Sequence, residues 1–435
     1  MASSTFDTFL QNLARVIARV LYRSVDVHDP DPSWSDRPAI LVANHFGGFA
    51  DPALLIGVLA KPPRFLAKAT LWDVGPVGPL LELGGAIPVY RASDGATSGN
   101  RDTFAACYRA LAAGEQIALF PEGTTHDDPS MTRLKTGAAR IAMGAMAAGV
   151  PAPVVVPVGI HYEDKAAIRS RAAVIVGAPI EVSAVVGHAD PSDRDAVHRL
   201  TEVIDERLRS AAPDFRTWKE AHLLGTAAEV ALGASSLGGS VGYAPRERLA
   251  GLLGRAPEPD RSAVSTAVGR YLDAVEAAGM EGPGVRPSAL ELARRAVRSL
   301  AVTLLLAPFA LAGVALNVVP YLLTRLVGRL SAPPVTLATV KVLVGLVAFV
   351  GTWTFWAWVV ASRWGWRFGS AMFVLAPFYG GVAIAVWERL GAFWRLFGSL
   401  RRSEGGLDAA TAAGLRDDVV RAVEAALVAA GRAVR

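Results

Sequence analysis

His45 and Asp51 are the pair of side chains in this sequence best placed to move a proton. They lie in the stretch Asn44-His45-Phe46-Gly47-Gly48-Phe49-Ala50-Asp51-Pro52. The histidine follows a short apolar run and the acid stands where a helical pattern begins. The Gly-Gly bend between them can fold the carboxylate back onto the imidazole. An acid bonded to one ring nitrogen fixes the tautomer and stabilises the imidazolium, so the other nitrogen can take a proton from an alcohol. No serine or cysteine nucleophile accompanies the pair, which points to direct attack by a substrate's own hydroxyl. Taken alone, Asp51 also fits a helix N-cap.

Three more blocks carry groups suited to an anionic substrate. In Gly84-Gly85-Ala86-Ile87-Pro88-Val89-Tyr90-Arg91, the guanidinium of Arg91 emerges at a strand end, where it suits bidentate contact with a phosphate. An ordinary surface arginine is the plainer reading. In Phe120-Pro121-Glu122-Gly123-Thr124-Thr125-His126-Asp127-Asp128, the Glu122, Gly123 and Thr124 turn offers accessible backbone amides. Lys135 then opens the next helix, where cation and helix dipole both favour an anion. His126, Asp127 and Asp128 look like metal ligands at first sight, but no second histidine stands at a supporting spacing. The fourth block, 154–162, is an apolar strand pattern ending in His161 and Tyr162. His161 reads as a structural histidine rather than a second base.

The elements that must hold these groups alternate. Strand patterns fall at 39–43, 64–69, 86–91, 116–120, 154–161 and 172–176, with helical patterns at 51–59, 101–113 and 134–148. Such alternation predicts an α/β domain whose mostly parallel sheet is flanked by helices. The carboxyl ends of the strands in such a sheet form the ligand crevice. His45, Arg91, Glu122 and Tyr162 all follow strand patterns, so they converge there.

The flanks read differently. Residues 6–21 form a basic amphipathic pattern broken by Arg15 and Arg19, unlike a signal peptide. It suits a helix lying in a membrane interface or one packed on its own domain. From residue 186 to about 290 the strand patterns stop. The runs 299–323, 342–362 and 368–387 contain no charged residue, and each is long enough to cross a bilayer core, which takes about 20 residues. Tryptophans cluster in and around the later runs. Arginines flank every run, so charge bias sets no orientation. The predicted organisation is an interfacial helix and lead-in (1–37), a catalytic domain (38–190), a helical region (191–290), a transmembrane region of two or three hydrophobic helices (291–390) and an amphipathic helical tail (391–435).

Composition agrees. The chain has 435 residues, 52% of them hydrophobic, with a net charge of +5. The mean hydropathy is +0.34. That balance fits a membrane and a small anionic substrate, and it is too weakly basic to suggest nucleic acid. The single cysteine, Cys107, excludes an internal disulfide and fits a catalytic domain facing the cytoplasm. A transporter fits poorly, because the apolar runs hold no acids and show no internal repeat.

The four blocks, in this order and spacing, resemble the glycerolipid acyltransferases, which include glycerol-3-phosphate and 1-acylglycerol-3-phosphate acyltransferases. The resemblance covers roughly residues 38–185. It implies a general base at His45 with Asp51 as its partner. It also implies acceptor binding around Arg91, Glu122, Gly123, Thr124 and Lys135, and no cofactor. The donor it implies is acyl-CoA or acyl carrier protein, the acceptor a glycerophosphate, and the setting a lipid bilayer. Two departures stand out. Most members place the aspartate five residues after the histidine, and here it is six. Most carry an arginine after Glu-Gly-Thr, where this chain has Thr125. The longer His–Asp spacing, the stretch Phe120–Asp127 with Leu134-Lys135 and the C-terminal hydrophobic section are closer to the fungal-type glycerol-3-phosphate/dihydroxyacetone-phosphate branch. The missing arginine leaves Arg91 and Lys135, with Arg101 behind them, as the replacement phosphate ligands. The alternatives are another lysophospholipid or lipid-linked acceptor, or a non-catalytic lipid-binding homologue.

Overall fold

The computed structural model describes residues 5–75, 77–90, 100–165, 167, 169–235, 241–277, 289–330, 334–401 and 409–433. The strands are β1 (Tyr22–His28), β2 (Ala39–Ala43), β3 (Arg64–Lys68), β4 (Ile87–Val89), β5 (Ile117–Leu119), β6 (Val154–Tyr162), β7 (Ser170–Val176) and β8 (Ile180–Glu181). The helices of the first half are α1 (Thr5–Leu21), α2 (Ala50–Val58), α3 (Val77–Leu83), α4 (Asn100–Ala112), α5 (Gly137–Ala147), α6 (Val182–Val186) and α7 (Arg194–Ala211). Those of the second half are α8 (Trp218–Ser235), α9 (Tyr243–Gly254), α10 (Glu258–Ala277), α11 (Ala289–Leu330), α12 (Pro334–Trp364), α13 (Trp366–Arg401) and α14 (Ala409–Ala433). They divide into two compact units: Met1–Ala228 with Val241–Arg261 and Ala426–Arg435, and Glu229–Ser240 with Ser262–Ala425.

The first unit is built on one sheet of strand order β1-β7-β6-β2-β5-β3-β4, with β8 paired to β6. It is mostly parallel; only the β6–β7 and β6–β8 pairings are antiparallel. β2 is its central strand. All five of its residues are buried, because β5 and β6 flank it and helices cover both faces. A strand buried on both faces needs a continuous apolar run, and Ala-Ile-Leu-Val-Ala provides one. Burial of each large side chain here contributes about 1.5–3 kcal/mol.

One core layer lies under α4, α5 and α7, with Ile40, Val42, Leu111, Met143, Leu200 and Ile204 at its centre. The other includes Leu41, Leu54, Leu55, Val156 and Ile160. α7 and α9 lie in the stretch that the sequence assigned to a separate helical region. In the structure α7 packs on β6 and α9 on β7. β1 similarly draws part of the predicted lead-in into the sheet, in parallel with β7.

His161 joins α7 to the sheet. Its Nε2 donates to the Ala211 carbonyl at 2.7 Å, and Nδ1 lies 3.3 Å from Glu247 of α9. This is the structural role the sequence suggested. Gly159 permits the same approach, because a Cβ there would fall 1.9 Å from Ala211 O. Backbone cannot yield to that contact cheaply. Gly159→Ala is therefore expected to destabilise the unit by about 3 kcal/mol, read as a lower thermal unfolding midpoint in detergent.

α1 packs by one face on α2. Gln11 Nε2 donates to Leu59 O at 3.1 Å and Arg15 Nε to Gly57 O at 3.1 Å, so α1 satisfies carbonyls at the end of α2. Its other face leaves Phe9, Val16 and Val20 exposed.

In the second unit, Ala296–Val327, Val344–Trp364 and Trp366–Gly391 are long and apolar enough to cross a membrane. Asn317, a buried polar residue in the first run, bonds to both other helices. Its Nδ2 donates to Ala376 O at 3.3 Å, and its Oδ1 accepts from Trp353 Nε1 at 2.8 Å. A polar group at that depth needs such partners, and it ties α11, α12 and α13 together.

Candidate active site

β2, β3, β4, β5 and β6 run parallel, so their carboxyl ends share one edge of the sheet. His45 follows β2, Glu122 follows β5, and Tyr162 ends β6. Asn44 pins the end of β2 to β6. Its Nδ2 donates to Ile160 O at 2.9 Å and its Oδ1 accepts from Ile160 N at 2.7 Å.

The chain then turns through Gly47 and Gly48, the latter at φ +59°, and enters α2. The turn brings Asp51 Oδ2 to 2.8 Å from His45 Nδ1. The carboxylate is fully buried and also accepts from Gly47 N at 3.0 and 2.9 Å and from the Tyr162 hydroxyl at 2.6 Å. Asp51 is not the N-cap of α2; that position belongs to Phe49, which makes no side-chain capping bond.

A carboxylate only accepts, so Nδ1 of His45 carries the proton and Nε2 presents its lone pair. The imidazole side chain keeps 20% of its surface open. Its ring stacks on Phe120 at a centroid distance of 4.0 Å, which fixes its plane. The arrangement can accept a proton at Nε2 and stabilise the resulting cation through Asp51.

Gly47 has a further role. A Cβ there would lie 2.5 Å from Asp51 Oδ1 and 2.8 Å from the Tyr162 hydroxyl. Gly47→Ala is expected to displace the carboxylate and lower kcat at least about tenfold, since small misplacements of reacting groups are costly. The check is a steady-state assay beside a thermal unfolding curve that separates lost activity from lost fold.

Glu122 faces inward. Oε1 accepts from His45 N at 3.0 Å, while Oε2 accepts from Thr132 N at 2.9 Å, from Thr132 Oγ1 at 3.1 Å and from His126 Nε2. Its side chain has no exposed surface, so the carboxylate braces the His45 loop. His126, which resembled a metal ligand in sequence, is its neutral partner: Nδ1 accepts from Asp128 N at 3.3 Å, leaving the proton on Nε2.

Gly123 has φ +73°, and the Lys135 ammonium occupies the space a Cβ would take, 2.5 Å from that position. Lys135 and Thr124 are exposed beside this turn. Arg91 lies outside the described residues, and Arg101 is exposed on α4. Lys165, which sequence reasoning passed over, donates to Phe46 O at 3.4 Å and His126 O at 3.5 Å and pairs with Asp127. It clips the two loops together; no spacing in the sequence marks it. Cys107 is buried and its thiol is pushed up to about 12 by burial, far from thiolate chemistry at neutral pH.

Comparison with known proteins gives this geometry a family. The acyltransferase family model matches residues 24–161, which reach from β1 through β6 and include His45, Asp51 and Glu122. Glycerol-3-phosphate O-acyltransferase 2 of Saccharomyces cerevisiae is 38% identical over 123 residues, 27% of this chain and 17% of the yeast protein. Residues 24–161 form a domain of the acyltransferase family. A second relative of this acyltransferase domain, the 1-acyl-sn-glycerol-3-phosphate acyltransferase of Bacillus subtilis, is 27% identical over 202 residues, 46% of this chain and 94% of that protein. The chain spans less than a fifth of the length of the yeast relatives it matches. The solved 1-acyl-sn-glycerophosphate acyltransferase of Thermotoga maritima aligns with a TM-score of 0.35 at 20% identity, over 47% of this chain and 78% of that one.

Proposed function

We propose that this protein is a membrane-bound O-acyltransferase. It moves a fatty acyl group from the thioester of acyl-CoA or acyl carrier protein to glycerol 3-phosphate or 1-acylglycerol 3-phosphate. The observation that carries the reading is the His45 Nδ1–Asp51 Oδ2 contact of 2.8 Å, with Nε2 left to receive a proton at the carboxyl edge of a parallel sheet.

The chemistry follows from that geometry. The acceptor hydroxyl oxygen attacks the thioester carbonyl while Nε2 of His45 takes its proton. Asp51 stabilises the imidazolium. The tetrahedral intermediate collapses, the carbon–sulfur bond breaks, and the imidazolium returns the proton to the leaving thiolate. The products are an ester and a free thiol. Glu122 braces the His45 loop, while Lys135, Gly123, Thr124 and Arg91 bind the acceptor phosphate. The apolar helices anchor the protein in the bilayer, α1 lies in the interface, and the catalytic domain faces the cytoplasm.

The names of the relatives support both acceptors. Mass spectrometry of the lipid product, with each donor paired with each acceptor, tests the assignment. Product from glycerol 3-phosphate alone, or from its 1-acyl derivative alone, fixes the acceptor. Product from neither, with both donors, rejects the reading.

A further inference from the structure

Two tyrosines stand behind the His45–Asp51 pair, and the reaction scheme uses neither. Tyr162 is 111 positions from Asp51 in sequence, yet its hydroxyl donates to Asp51 Oδ1 at 2.6 Å. Its ring stacks on that of the buried Tyr22, with centroids 5.5 Å apart and planes 24° apart. Tyr162 has one proton and gives it to a carboxylate that can only accept. Burial, and then the charge of Asp51, hold the Tyr162 phenol well above its ordinary range, so it keeps its proton and remains a donor.

We propose that Tyr162 is a positioning residue that acts through Asp51, with Tyr22 as its support. The proposal rests on the reading of His45 as the base. A carboxylate can rotate about its last bond, and only one setting points Oδ2 at His45 Nδ1. Tyr162 fixes that setting by occupying Oδ1. The vacancy at Gly47 makes room for the contact, since a side chain there would strike both partners of the bond. Tyr22 opens β1 directly after α1, so the amino-terminal segment contributes to the order of the dyad.

The test uses the full-length protein in lipid or detergent, with the donor and acceptor that support turnover. Tyr162→Phe keeps the ring and its stacking and removes only the hydroxyl. It is expected to lower kcat about 10- to 100-fold, the loss of one hydrogen bond to a charged group, with KM for both substrates held within about twofold. Tyr22→Leu, which removes the stacked ring, should lower kcat less, in the same direction. In an Asp51→Asn background, Tyr162→Phe should cost no more than about twofold, because the route through Asp51 is already cut. Wild-type kcat in Tyr162→Phe would overturn the inference, as would an equal loss in both backgrounds or a rise in KM alone. If thermal unfolding shows that Tyr162→Phe does not fold, Tyr22→Leu in the same two backgrounds carries the test by the same criteria. Full activity in His45→Ala is a separate outcome: it would remove the dyad itself, and the positioning role with it.

Discussion

His45→Ala should lower kcat for acyl transfer by about 10²- to 10⁴-fold, the range that a positioned general base contributes, and leave the fold intact. The imidazole is the only group in the described site whose free nitrogen is aimed by a buried acid. Removing it leaves the acceptor hydroxyl to attack without a base, and the leaving thiolate without a proton donor. The fold should survive, because His45 is held at a strand end by its backbone and ring stacking, with 20% of its side chain exposed. The buried Ala43, Asn44 and Phe46 on either side, not the imidazole, carry the packing. Parallel kinetics and thermal unfolding of wild type and variant separate the two effects.

Asp51→Asn should cost on the order of 10³- to 10⁴-fold in kcat, comparable with the loss of the base. Both carboxylate oxygens face donors: Oδ1 receives Tyr162 and Gly47 N, and Oδ2 receives His45 Nδ1 and Gly47 N. An amide must turn its NH₂ toward one of these sets. Turned toward His45, it makes Nδ1 an acceptor and moves the proton to Nε2, the nitrogen that must be free. Turned toward Tyr162, it meets the Gly47 amide as donor against donor. Either way the change is isosteric, so little stability should be lost through volume. The expected signature is a collapsed kcat in a variant that still folds; kcat within about threefold of wild type would show that the carboxylate does not act through the histidine.

The elements that could be read from sequence were those with an unambiguous period. The five apolar residues of β2 match the observed strand end for end, and the three uncharged runs lie inside three long helices. β1 was missed for a physical reason. Tyr-Arg-Ser-Val-Asp-Val-His is an edge strand paired only with β7, so one side of it needs no apolar cover. β8 is two residues long and leaves no period at all.

The site divides in the same way. His45 and Asp51 are close in sequence, and the glycines between them announce the bend. Tyr162 could be placed at the crevice by the strand it ends, but its bond to Asp51 could not be read; Thr132 and Lys165 lie in the loops after β5 and β6, where no local spacing reveals them. Glu122 shows the limit most clearly. Its turn was recognisable, but its direction was not. His126 and Thr132, four and ten residues further on, pull the carboxylate inward, and only their coordinates show it. His126 looked like a metal ligand for the same reason: histidine and carboxylates close in sequence can as well bond each other as a cation.

The central claim is that His45 activates an acceptor hydroxyl for direct attack on a thioester. Its most direct test follows free thiol release from palmitoyl-CoA by the purified full-length protein in lipid. It is run with glycerol 3-phosphate, with 1-acylglycerol 3-phosphate and with no acceptor, for wild type and His45→Ala, and repeated with acyl carrier protein as donor if CoA gives none. The expected result is release that needs an acceptor, matches ester formed one for one, and disappears in the variant. Equal release by a folded His45→Ala protein, or acyl groups left covalently on the wild-type protein without an acceptor, would contradict it.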